Sequence, residues 1–316
     1  MSNQASGGQP NYNRPMNLQE WTLLIGLAAL WGAAFFFVAI AVKDFPPLTL
    51  GAIRLMLGGS VLMAILYASG GKLPLDRHIL GWFIIVALIN SLIPMFLIGW
   101  AQQYIGAGLT AILNGAMPLW TLFVAHLLTR EEKLTGLKLL GTLVGFAGVA
   151  TMVGFDALKG LDRNVLAQIA AVLSTICFAF GNVAGRRFRA LGVPPLAATA
   201  GTLMASGLMF LPLMAFFDHP WTLPAPGAAA WACAIAAGLF STAMAHFMFF
   251  RLLSTAGATN ASLVTMISVP FAVLLGAFIL GEVLELRHIA GMIAVALGLA
   301  IVDGRPWAWA KKRLVT

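Results

Sequence analysis

Apolar stretches of about 20 residues recur along this chain between short charged or Pro/Gly-rich breaks, and each is long enough to cross a hydrocarbon core of roughly 30 Å. Ten can be traced, at approximately 20–42, 47–68, 79–100, 106–128, 134–153, 164–185, 195–216, 228–250, 257–280 and 286–303. A backbone in hydrocarbon must satisfy its own polar groups, which leaves helices and closed barrels. The alternation of barrel strands is absent. The expected fold is therefore all-α integral membrane, with ten transmembrane helices. Only 9% of the residues are charged, against roughly 25% in a soluble domain.

The net charge of +8 acquires meaning from where the charges lie. One set of alternate loops and tails holds Arg14; Lys72 and Arg77; Arg130, Lys133 and Lys138; Arg186, Arg187 and Arg189; Arg251; and Arg305, Lys311, Lys312 and Arg313, fourteen in all. The other set holds four: Lys43, Lys159, Arg163 and Arg287. The positive-inside rule then puts both termini in the cytoplasm, and the basic balance reports topology, with no nucleic-acid partner expected. Residues 1–19 are polar and expected to be a disordered cytoplasmic N-terminus with no cleavable leader. Residues 305–316, "RPWAWAKKRLVT", read as a basic cytoplasmic tail with tryptophans at headgroup level. Cys177 and Cys233 both fall inside expected helices and offer no disulfide or metal framework.

The chain contains itself twice. "GLTAILNGAMPLWTLFVAHLLTREE" from Gly108 matches "NASLVTMISVPFAVLLGAFILGE" from Asn260, with Pro118 on Pro270 and, allowing two extra residues, Glu132 on Glu282. Gly141, Gly148 and Gly154 then meet Gly291, Gly298 and Gly304 at one constant offset, and "FPPLTL" from Phe45 echoes "VPPLAA" from Val193. The units are 20–155 and 160–304. Five helices each is an odd number, so the second copy enters the membrane inverted. Inverted five-helix repeats are a recurrent architecture of secondary transporters, with substrate bound near midplane between them. A carrier working by alternating access is expected, with a small-molecule substrate and the lipid bilayer as its partners.

All eleven acidic residues lie in loops or near helix ends, so no buried carboxylate is offered for a proton or sodium relay. The simplest carrier is then an uncoupled facilitator, with coupling through a histidine as the minority alternative. No cofactor or metal is expected. Polar and aromatic residues inside the spans are the candidates for substrate contact. Arg54 is the one arginine well inside a span, with backbone carbonyls or water as its expected partners and a substrate carboxylate as its functional one. Asn90 and Asn114 each stand four residues before a proline, Pro94 and Pro118, which removes the amide that would pair with the Asn carbonyl. These prolines and Pro270 are expected kinks. Trp31 and Phe35 share a helical face; Trp100 could line the site or the interfacial belt. Thr242 and His246 share a face of the eighth helix, and Asn182, Asn260 and Ser262 are weaker candidates. The GxxxG spacings Gly141 to Gly145 and Gly181 to Gly185 favour contacts within the bundle, and the chain is expected to be a monomer.

At this point the chain resembles the drug/metabolite transporter superfamily, in particular its ten-helix EamA-type members. The resemblance rests on "WGAAFFFVAIAVKDFPPLTLGAIRLMLGG" and on the Pro-to-Glu segments ending in "TREEKL" and "LGEVLE". It implies a basket of ten helices and inner-membrane export of small metabolites, with bacterial exporters of neutral and aromatic amino acids the most similar members. Proton-driven multidrug efflux is the competing transporter reading, but small relatives use a first-helix glutamate that "WTLLIGLAALWGAAFFFVAIAV" lacks. An embedded enzyme lacks its residues here, with no HExxH and no GxSxG. A scaffold protein would need no polar groups at midplane.

Overall fold

The computed structural model of the protein describes residues 16–128, 136–153, 162–256, 261 and 263–303, and every regular element among them is helical. Eight helices are long and apolar enough to cross a membrane: α1 (Leu18–Ala41), α2 (Pro47–Ala68), α3 (Arg77–Ala101), α4 (Ala107–Leu128), α6 (Arg163–Ala190), α7 (Pro195–Asp218), α8 (Ala228–Leu252) and α9 (Leu263–Leu280). Two shorter apolar helices stand beside them among the described residues, α5 (Gly136–Val153) and α10 (Leu286–Asp303). α6 runs past its expected end to Ala190. Residues 1–15 and 305–316 of the expected tails, the junction between the two units, and Asn260 and Ser262 lie outside the described residues; the end of the expected N-terminal tail is helical, α1 starting at Leu18 behind Asn17, which forms a capping box with Glu20.

Packing is dominated by partners distant in sequence. α1 lies against α8 and α9, α6 against α3 and α4, α2 against α7, and α5 against α10. Phe210, Leu55 and Leu62 are fully buried at the α2–α7 contact, and Leu24, Leu27 and Leu252 fill the α1–α8 contact. Large apolar side chains also cover the outside: Phe278 is 83% exposed, and Ile84, Leu143 and Leu297 are exposed too. An apolar surface of this extent needs a nonaqueous partner, which a bilayer supplies. The α5–α10 contact is made by glycines. A Cβ on Gly141 would stand 2.6 Å from the carbonyl oxygen of Gly298, and one on Gly148 would stand 2.7 Å from that of Gly291. Backbone therefore packs on backbone, as small residues allow between membrane helices.

Among the described residues five membrane helices, α2, α3, α4, α7 and α8, begin without a side-chain cap, and three of them are met from a distance. Pro46, Gly106 and Gly227 precede α2, α4 and α8, and none offers a capping side chain. Carboxylates from far along the chain fill the gap. Asp218 accepts from the Thr49 N–H at 2.7 Å and hydroxyl at 2.8 Å, Glu282 accepts from the N–H groups of Ala107 and Gly108, and Asp44 accepts from Gly227 N–H at 2.8 Å. The first amides of a helix have no intrahelical acceptor, and a negative charge there also meets the positive end of the helix dipole. Acidic residues that the sequence leaves in loops thus tie one end of the bundle together. Asp218→Ala is expected to lower stability by about 2 kcal/mol, since hydrogen bonds to charged groups contribute about 1.5–3 kcal/mol. Asp218→Asn, which keeps one acceptor, should recover part of this in thermal melts of the purified protein.

Candidate substrate site

The prolines act on the helices in three different ways. Before Pro94, α3 loosens into a π-helical turn over Leu88–Leu92, where Ile93 N–H reaches back five residues to the Leu88 carbonyl. Around Pro118, α4 breaks: an α-helix ends at Asn114, and a new one starts at Met117 after a turn through Gly115 and Ala116. Pro270 sits inside an unbroken α9. α8 has a π-helical turn of its own over Leu239–Met244 without any proline. Asn90 and Thr242, one in each π turn, are 152 residues apart, the spacing that separates Pro118 from Pro270.

The π turn of α8 builds the first group of polar residues. Thr242 is 1% exposed, and its hydroxyl donates to the carbonyl of Ala237, five residues back, at 2.9 Å. The same oxygen accepts from Arg54 Nε at 2.9 Å, across the α2–α8 contact. Arg54 is 8% exposed. Its partner is a hydroxyl of another helix, where sequence reasoning looked to backbone carbonyls or water. Neither Nη group makes a hydrogen bond among the described residues, so one edge of the guanidinium is held and the forked end is left over. His246 lies one turn beyond, its Nδ1 2.7 Å from the Thr242 carbonyl. A carbonyl only accepts, so Nδ1 carries the proton and Nε2 of the neutral ring is an acceptor. Trp31 meets His246 edge to face at 6.1 Å and Phe249 at 5.5 Å. α1, α2 and α8 thus gather Trp31, Arg54, Thr242 and His246.

A second group forms on α3, α4 and α6. Asn90 packs on the bare backbone of Gly181: a Cβ there would stand 2.5 Å from its Oδ1. Asn182, the next residue, is exposed, with its amide nitrogen 4.0 Å from Met117 Sδ at the broken part of α4. Asn90 Oδ1 and Asn114 Nδ2 are buried with no hydrogen-bond partner. Burying a polar group unpaired costs about 1–3 kcal/mol, so these two amides favour any conformation or ligand that pairs them. Gly185, the other half of the second GxxxG spacing, faces open space among the described residues.

Two further candidates have contacts of their own. Trp100 packs on Tyr104 at 5.1 Å at the end of α3, and Arg163 lies over the Tyr104 ring at 5.8 Å. Phe35 contributes its backbone, its carbonyl accepting from Gln102 Nε2 at 2.9 Å. Sequence reasoning passed over Gln102 and Ser241, whose hydroxyl donates to the Leu30 carbonyl at 2.7 Å and fastens α8 to α1. A polar residue one position from a predicted site residue inside a span would have been the signal for Ser241. Gln102 gives none.

Two segments of the chain, residues 20–154 and 165–302, match the model of the EamA-like transporter family. The chain is 24% identical over 282 residues to the uncharacterized transporter YoaV of Bacillus subtilis, covering 87% of this chain and 94% of YoaV. It is 28% identical over 291 residues to the uncharacterized inner membrane transporter YedA of Escherichia coli K12, covering 90% of this chain and 92% of YedA. A protein of known crystal structure superposes with a TM-score of 0.63 at 19% identity, over 90% of this chain and 97% of the other. That likeness speaks to the fold.

Proposed function

The chain belongs to the EamA-like transporter family, and on that premise we propose that it exports small amphipathic metabolites, chiefly amino acids, neutral and aromatic ones included, across a bacterial inner membrane. The observation that carries this reading is the forked end of Arg54, left without a partner among the described residues in the group that links it through Thr242 and His246 to Trp31. A guanidinium held by Nε keeps two nitrogens for a carboxylate, and an aromatic face nearby suits an apolar side chain. The orphaned amides of Asn90 and Asn114 supply complementary acceptor and donor capacity for the rest of the substrate. Two groups on different helices, each incomplete, suit a ligand that is polar at one end and apolar at the other.

The reading extends to architecture. α1 to α10 are ten crossings in two inverted five-helix repeats, with both termini in the cytoplasm, where the fourteen basic residues of one loop set would lie. The pairing of helices supports this. Exchanging first-half helices for their second-half counterparts maps α1 against α8 and α9 onto α6 against α3 and α4, and returns α2–α7 and α5–α10 to themselves. The π turns of α3 and α8 fall at the repeat spacing.

Transport is uncoupled, since no acidic side chain of the described residues stands beside either polar group. Uptake of labelled amino acids into liposomes holding the purified protein tests both claims. Neutral and aromatic amino acids are expected to equilibrate at the same rate with and without a pH gradient. No uptake across the panel would refute the exporter, and strict dependence on the gradient would refute the facilitator. His246, with its free Nε2 beside Arg54, is then the residue a proton would use.

A further inference from the structure

A separate polar cavity lies at the end of the molecule where α4, α6 and α10 begin. It measures about 280 Å³, near the lower end of small-molecule pockets, which run from roughly 300 to 1,000 Å³. Gln168 of α6 and His288 of α10 both line it, and both are buried, at 4% and 5% exposure. No residue of the Arg54 group or of the Asn90 group is part of its wall.

The start of α10 sets the histidine. Glu285 N–H donates to His288 Nδ1 at 3.2 Å, and the Glu285 carbonyl accepts from His288 N–H at 2.9 Å. Because Nδ1 accepts, the proton of the neutral ring sits on Nε2, and Nε2 is buried with no hydrogen-bond partner among the described residues. Gln168 is its complement: Oε1, which only accepts, is buried and unpartnered as well. The two residues do not pair with each other, and each of these atoms gives up its hydration for nothing. A ligand that accepts at one end and donates at the other satisfies both.

Charge says what kind of ligand that is. Glu285 is paired with Arg287, its Oε2 2.7 Å from Nε, so the negative charge left in the wall is that of Glu282. The Glu282 oxygens accept one N–H each, from Ala107 and Gly108, and a carboxylate offers about four lone-pair sites. Capacity for a cation remains. An ammonium group suits Gln168 Oε1 and Glu282, and an anionic oxygen suits His288 Nε2–H. Tyr104 and Leu284 add apolar wall for a side chain.

We propose that this cavity binds the zwitterionic head of an α-amino acid, the ammonium on Gln168 and Glu282 and the carboxylate on His288, as a second site outside the Arg54 group. Asn114 stands seven residues beyond Ala107 on α4, about 10 Å of rise, so the cavity and the Asn90 group share a helix. The choice of amino acids rests on the exporter reading; the pairing of a cation with an anionic oxygen rests on the cavity itself.

The test measures binding and needs no transport. The full chain in phosphatidylglycerol nanodiscs is screened by thermal shift against the common protein amino acids, and the strongest ligand is then counted by equilibrium dialysis. Gln168→Leu, which removes the unpaired acceptor, is expected to weaken one bound amino acid per chain about tenfold or more, whether or not the Arg54 group holds another. Its ligand-free melting temperature should not fall. Gln168→Glu keeps an acceptor and should retain that amino acid. His288→Phe should lose it as Gln168→Leu does, and serves where that variant folds poorly. Arg54→Gln should leave it in place.

Unchanged binding in Gln168→Leu and His288→Phe, or no bound amino acid left in Arg54→Gln, overturns the site and gives the cavity to water. Binding lost when phosphatidylethanolamine replaces phosphatidylglycerol assigns the cavity to a lipid headgroup of the same chemistry and overturns the amino acid. A chain that binds as expected and carries nothing would refute the exporter and leave the second site standing.

Discussion

Arg54→Gln is expected to slow transport of carboxylated substrates by about a hundredfold in a protein that still folds. Truncating one partner of a buried, hydrogen-bonded charge pair costs about 2–5 kcal/mol, and each 1.4 kcal/mol is about a factor of ten. The geometry says why lysine should recover only part of the loss. Arg54 spends Nε on Thr242 and keeps a planar fork for a ligand, whereas an ammonium is a point charge that cannot hold both in one fixed orientation. The measurement is initial uptake into liposomes of an amino acid and of the amine that lacks its carboxylate, with melting curves alongside. The amine should be nearly indifferent to the substitution. If both Arg54→Gln and Arg54→Lys carry the amino acid at the parent rate, Arg54 is structural and the substrate reading loses its anchor.

The second large effect concerns stability alone. Gly148→Val should destabilise the protein by about 3 kcal/mol, at the upper end of what overpacking costs. The first added carbon meets the Gly291 carbonyl oxygen at 2.7 Å and the Ala294 methyl at 2.9 Å, so α5 and α10 must move apart along their length. A fall on the order of 5–10 °C in melting temperature is expected. Gly185→Val, where nothing lies within 4 Å among the described residues, should change little. Equal behaviour of the two variants would mean that the α5–α10 contact is not held by its glycines.

Sequence and structure meet most closely where one physical rule acts locally. Apolar length alone marks the helices, because a bilayer leaves the backbone no alternative. Glycine spacing marks α5 as a closely packed helix for a similarly local reason, while its partner α10 is known only from the structure. The site was legible only as a set of residue types. That Arg54 would bind Thr242, 188 residues away, depends on which helices pair. The π turn that aims Thr242 has no proline to announce it. The distant caps were hidden differently, since the signal is an absence: helices that start after Pro46, Gly106 or Gly227 have no capping side chain of their own. At three of the five uncapped starts a carboxylate from elsewhere in the chain fills the place. Read that way, Asp218 and Glu282 would have been candidates before any coordinates.

The 188-residue reach of the Arg54–Thr242 bond also sets a timetable for biosynthesis. At about 5–20 residues per second, α2 waits roughly 10 to 40 s in the membrane before Thr242 leaves the ribosome. For that interval a guanidinium that costs about 2.5–3.5 kcal/mol near the bilayer centre has no partner, and the start of α4 waits nearly as long for Glu282. A half-made chain is therefore a poor tenant of the membrane, prone to surveillance proteases or to slipping α2 back toward the surface. Nascent chains arrested after α5 should turn over faster than those arrested after α8, and Arg54→Leu should remove much of the difference.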